Sequence, residues 1–117
     1  MSAVNRNRTS VLNSLLRLDR PPSELAAMLS GIEWDAERPF VELSRRGMRQ
    51  VLQAAVAGSI PAAHVESWAD LIEGREDVGR EPGSEALLNE ALFELANPEL
   101  AGGAISGLIQ KWVRRLA

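Results

Sequence analysis

The chain has no cysteine and no tyrosine, and only one histidine and one lysine. Without cysteine there can be no disulfide, thiolate nucleophile, iron–sulfur cluster or cysteine zinc site. The single histidine, His64, excludes most histidine-rich metal centres and leaves one candidate general base of near-neutral pKa. Long hydrophobic runs are also missing. The longest mainly apolar stretch, residues 51–63, contains Gly58 and Pro61 and is too short to span a bilayer. Arg6 and Arg8 near the N-terminus are not followed by the apolar segment and small-residue cleavage site of an export signal. These absences point to a cytoplasmic protein of bacterial type with no membrane partner, cofactor or metal.

What is present suits an ordinary globular domain. Of 117 residues, 45% are hydrophobic and 25% charged, a balance typical of folded rather than disordered chains. The length suggests one domain, and a chain of this size buries roughly two-thirds of its unfolded surface. Residues 1–8 are polar and read as a frayed N-terminus, with a single helical domain over 9–117.

Apolar spacing in that domain is helical throughout. Val11, Leu12, Leu15, Leu16 and Leu18 predict a helix capped by Thr9 or Ser10. Pro21 and Pro22 end it and open a second, over residues 22–30. Ser44 is placed to cap a third, over 45–57, with Met48, Val51 and Leu52 on its inner face. Ser59 and Pro61 open a fourth, with Val65, Trp68, Ala69 and Ile72 facing inward as far as Gly74. Ser84 is placed to cap a fifth, and Asn97 and Pro98 end it. A flexible connector, Ala101 to Gly103, leads to the last, over 104–116, with its basic residues near the C-terminus, where they favour the helix dipole. Residues 32–41 are the least regular and read as a loop anchored in the core by Trp34 and Phe40. Residues 40–43 could form a short extended piece, but it has no evident partner. The expected fold class is all-α, a compact array of five to six short helices.

No catalytic set emerges. His64 has no carboxylate on its own face, so a hydrolase-type arrangement would need Glu33, Asp35 or Glu37 brought to it by the fold. Glu73, Glu76 and Asp77 lack the regular spacing of a calcium loop, and Glu90 and Glu94 lack the histidine motif of a di-iron bundle. Gly102 and Gly103 follow no strand, which argues against a phosphate cradle.

Charge placement says more. Residues 1–60 carry a net charge of +2, residues 61–100 a net charge of −8, and residues 101–117 a net charge of +3. On a helix advancing about 100° per residue, Glu66, Asp70, Glu73 and Asp77 share one sector away from the core stripe. Glu76 and an exposed Leu71 lie beside it. Such an acidic ridge suits the steering and docking of a basic partner. The same acids argue against a nucleic-acid role for the helix-turn-helix-like pair around Gly58, because phosphate neutralisation dominates that kind of affinity. A nucleic-acid contact would have to use the Arg-rich helix 45–57, through Arg45, Arg46 and Arg49.

The run from Val65 to Gly79, followed by Leu92 to Pro98, resembles small bacterial all-helical proteins of the immunity type, which neutralise a cognate toxin. The resemblance implies a helical inhibitor. The expected function is therefore a non-enzymatic protein-binding module, immunity- or antitoxin-like. Its partner-binding residues would be Glu66, Asp70, Leu71, Glu73, Glu76 and Asp77, covering a basic site such as that of a toxin. The alternatives are a structural or regulatory homodimer joined through its helices, nucleic-acid binding through helix 45–57, and a small enzyme using His64.

Overall fold

A computed structural model describes residues 3–117, with side chains from Asn7 onward. Seven helices and two short strands follow one another in the order α1 (Ala3–Arg17), α2 (Pro22–Leu29), β1 (Val41–Leu43), α3 (Arg45–Val56), α4 (Ala62–Ile72), β2 (Val78–Arg80), α5 (Glu85–Ala96), α6 (Pro98–Ala101) and α7 (Ile105–Arg115). The molecule is mostly helical, as the apolar spacing predicts. Three features of the expected all-α array need correction.

The first is the N-terminus. Helix α1 begins at Ala3, well ahead of Thr9 and Ser10, so the helical span reaches into the stretch read as frayed. Residues 1 and 2 lie outside the described residues. The second is the pair of strands. β1 and β2 run parallel, with Val41 opposite Val78 and Leu43 opposite Arg80. The extended piece expected at 40–43 does have a partner, in the segment between Gly74 and Ser84. A main-chain ladder across long sequence separation has no periodicity to announce it. The approach is close: a side chain at Gly79 would put its Cβ 3.0 Å from the Pro39 ring. The third is α6, a single turn over Pro98–Ala101, opening where the fifth helix is expected only to end and taking Ala101 from the expected connector.

Helix ends follow the local chemistry unevenly. Ser44 caps α3 as expected, its hydroxyl accepting from the Gly47 N–H at 2.9 Å. Ser84 makes no capping bond to α5, and the N-cap of α4 is Pro61 rather than Ser59. α4 stops at Ile72 because Gly74 turns the chain at φ +87°. The ring of Trp34 would lie 3.7 Å from a Cβ at that glycine. α1 ends on Leu18 at φ +48°, where a bulky residue holds the left-handed conformation that favours glycine.

α4 is the central helix. It packs along α5 and also touches α2, α3 and α7. Trp68 and Trp112 are fully buried, and the Trp68 indole N–H donates to the Leu15 carbonyl at 2.6 Å, tying α4 to α1. α3 and α7 lie antiparallel: Arg49 reaches the Val113 carbonyl, while Arg45, a turn earlier, reaches those of Arg115 and Ala117. Among the described residues, no helix is long and apolar enough to cross a membrane.

Candidate functional site

The acidic ridge read from the sequence does not survive as one surface. α4 ends at Ile72, so only Glu66 and Asp70 stand on the helix, with Glu73 at its C-cap. Asp70 is exposed and Glu66 and Glu73 are half-buried. Leu71 is also half-buried, packed against the core rather than standing free. It projects from the other flank of α4 from Glu66 and Glu73, as the helical angle requires.

Asp77 departs furthest from the expectation. Its side chain is fully buried, so it cannot form part of an accessible ridge. Arg75 grips it with two parallel bonds, Nε to Oδ1 at 3.0 Å and Nη2 to Oδ2 at 3.0 Å. Arg8, from α1, donates Nε and Nη2 to the same Oδ2 at 3.2 and 3.0 Å. Paired, charge-assisted bonds of this kind are strong as well as directional. The two arginines also reach outward. Arg8 donates to the carbonyls of Glu33 and Asp35, and Arg75 to that of Glu33. Each lies against an aromatic ring: the Arg8 guanidinium is 4.3 Å from the centre of Phe40, and that of Arg75 is 5.2 Å from the centre of Trp34. Residues 33–40, irregular in sequence, are thus fixed by a buried three-residue clasp. Trp34 does not anchor this loop in the core. It is 50% exposed and lies over Gly74 and Arg75.

The clasp leaves the loop's own carboxylates facing outward. Glu33, Asp35, Glu37 and Glu76, with Arg8, Arg38 and Phe40, line an open cleft of about 670 Å³. Among the described residues, Glu33, Glu37 and Glu76 make no ion pair, nor does Arg38. The main-chain N–H of Glu76 donates to the Trp34 carbonyl at 3.0 Å, which brings its side chain to the loop. There the carboxyl of Glu76 hydrogen-bonds to that of Asp35. This contact, together with the charge of Asp35 and slight burial, raises Glu76 above the ordinary carboxylate value. Two carboxyls in contact favour sharing one proton over both ionising. Sequence reasoning named Glu33, Asp35 and Glu37 only as distant partners for His64. Three acids in five residues beside a tryptophan were the signal that could have found the cleft.

His64 lies elsewhere, beside the α1–α2 turn with Asp19, Arg20 and Ser59, and its imidazole makes no hydrogen bond among the described residues. Glu33, Asp35 and Glu37 are not brought to it. Of the basic helix 45–57, Arg45 and Arg49 are occupied with the carbonyls at the end of α7, which leaves Arg46 without a partner on α3. No group of three or more His, Cys, Asp or Glu side chains among the described residues could hold a metal ion. Compared with protein-family models, with curated proteins and with solved structures, the chain has no significant match in any of the three.

Proposed function

We propose that the chain is a non-enzymatic protein-binding module, of the immunity or antitoxin kind, that docks a basic site of a partner on the acidic cleft formed by Glu33, Asp35, Glu37 and Glu76. The observation that carries this reading is the convergence of Glu33, Asp35, Glu37 and Glu76 on one open cleft. Two carboxyls are held together on an open surface while the neighbouring arginines Arg8 and Arg75 are committed to Asp77. A lysine or arginine of a partner would supply the missing counter-charge. Asp70, exposed on α4, adds to the negative field that would steer such a partner. Asp77 and Leu71 drop out of the docking set because neither presents a free side chain.

The test uses candidate partners encoded in adjacent reading frames. Association rates are measured at low and high salt for the wild type and for Glu33→Lys with Glu37→Lys. The expected outcome is a rate that falls with salt and falls further on charge reversal. A basic partner that binds at the same rate whatever the salt and whichever variant is used defeats the proposal. Sedimentation of the chain alone addresses the homodimer alternative.

One observation favours a second reading, nucleic-acid contact through helix 45–57. Neither α3 nor α7 carries an acidic residue, and Arg46 and Arg114, both exposed, have no partner among the described residues. Two free arginines are few for phosphate binding, because each contact adds only one counterion to the salt dependence. The acidic cleft remains the preferred surface.

A further inference from the structure

The two-stranded sheet has an unused edge. Val41 donates to the Asp77 carbonyl and Glu81 donates to the Leu43 carbonyl. In a parallel ladder, alternate residues turn both main-chain groups toward the partner strand. Val41 and Leu43 therefore face β2, and the N–H and C=O of Glu42 point to the opposite edge. Glu42 is exposed, and among the described residues neither its main-chain groups nor its carboxylate has a partner there. Along this edge lies a cavity of about 340 Å³ between the end of α1, β1 and α3. Leu16, Leu18, Leu43, Val51, Ala54 and Ile60 make it mainly apolar. Its size falls in the range of real binding sites.

We propose that the outer edge of β1 receives an extended segment of a partner protein as a third strand, with a basic residue opposite Glu42 and an apolar side chain seated in the neighbouring cavity. An unpaired strand edge supplies main-chain donors and acceptors for such pairing. The adjoining apolar cavity supplies side-chain specificity, and the lone carboxylate of Glu42 selects the charge, since opposite charges directly across a strand pair attract. Successive residues of a strand point to opposite faces. The segment that fits therefore alternates basic and apolar residues. This surface shares no residue with the acidic cleft, so its failure leaves that reading untouched.

The probe is an acetylated, amidated heptapeptide alternating lysine with valine and leucine, titrated into the full ¹⁵N-labelled chain. Saturable binding is expected to shift the amide resonances of Glu42 and Ser44 and to slow exchange of the Glu42 N–H. The same peptide methylated at the main-chain nitrogens that face β1 should bind about fivefold more weakly, as loss of the one modest hydrogen bond to the Glu42 carbonyl implies. Glu42→Pro, which removes both the outward-facing N–H and the carboxylate, should weaken the unmodified peptide at least as much. The methylated peptide reports on the edge even where that variant fails to fold. Absence of saturable binding, shifts confined to residues 33–37, or equal affinity of the two peptides would overturn the proposal.

Discussion

Asp77 and Glu94 are both carboxylates held by cationic side chains next to a tryptophan, yet they sit in opposite circumstances. Asp77 is fully enclosed, takes four hydrogen bonds from Arg8 and Arg75, and joins α1 to the segment before β2 across 69 residues. Glu94, on α5, accepts from Lys111 at 2.8 Å and from the Trp112 indole N–H at 3.0 Å, both on α7. Its side chain keeps 17% of its exposure and that of Lys111 keeps 40%. Arg115 and Lys111 lie over the Trp112 ring, 4.5 and 5.3 Å from its centre. In the first region charge organises the chain, fixing a loop that has no regular structure of its own. In the second it trims a helix pair that apolar packing already holds. The cost of a buried ion pair is incurred when it is broken, because the surviving partner stays desolvated, whereas a wet pair loses little.

The strongest way to break the comparison is Asp77→Ala. It strands the guanidinium of Arg75, a residue only 3% exposed, and it frees residues 33–40. Loss of about 3–5 kcal/mol is expected, read by chemical denaturation, together with increased exposure of Trp34 to quencher. A loss of less than about 1 kcal/mol, in the range of surface pairs, would place Asp77 in the same class as Glu94.

Glu94→Gln is the matched test. The amide can still accept from Trp112 but no longer balances Lys111. About 0.5–1 kcal/mol should be lost at neutral pH. The hydrogen bond from Lys111, assisted by that from Trp112 and by the charges of Lys111 and Arg115, holds the Glu94 carboxyl below its ordinary value against a smaller opposing effect of burial. A depressed carboxylate contributes stability above its unfolded value and loses it as pH falls through the folded one. The gap between wild type and variant should therefore close on acidification. A gap that persists at low pH would assign the loss to packing.

The same contrast explains what could be read from the sequence. Helices whose apolar residues recur at three and four, such as α3 with Met48, Val51 and Leu52 or α4 with Val65, Trp68 and Ile72, are legible because burial alone shapes them. Ser44 is legible as a cap because a cap is local. The clasp is not, because Arg8 and Asp77 meet through tertiary packing, and extending the helical angle to residue 77 mistakes a buried anchor for a surface charge. β2 escapes notice, and β1 shows only as an extended piece without a partner, for the same reason: three-residue strands carry no alternation to detect. The acidic composition of the middle third is real, but Asp77 lies inside the protein and Glu76 turns to face Asp35 in the first third.

Glu76→Gln gives the smallest effect on the fold and the sharpest separation of fold from function. Glu76 is raised because its neutral form donates to Asp35 and because the charge of Asp35 opposes its ionisation. A raised carboxyl contributes stability while protonated and loses it as pH rises through the folded value. Glutamine keeps a neutral donor at every pH, so the variant should match the wild type in acid and unfold at a slightly higher temperature at neutral pH. Binding of a basic partner should move the other way, since the variant removes one of the carboxylates that would receive it. A residue kept for stability alone would be improved by this change in both respects. If the variant gains stability and binds a basic partner no less well, the Asp35–Glu76 contact is a mild defect of the surface rather than a site.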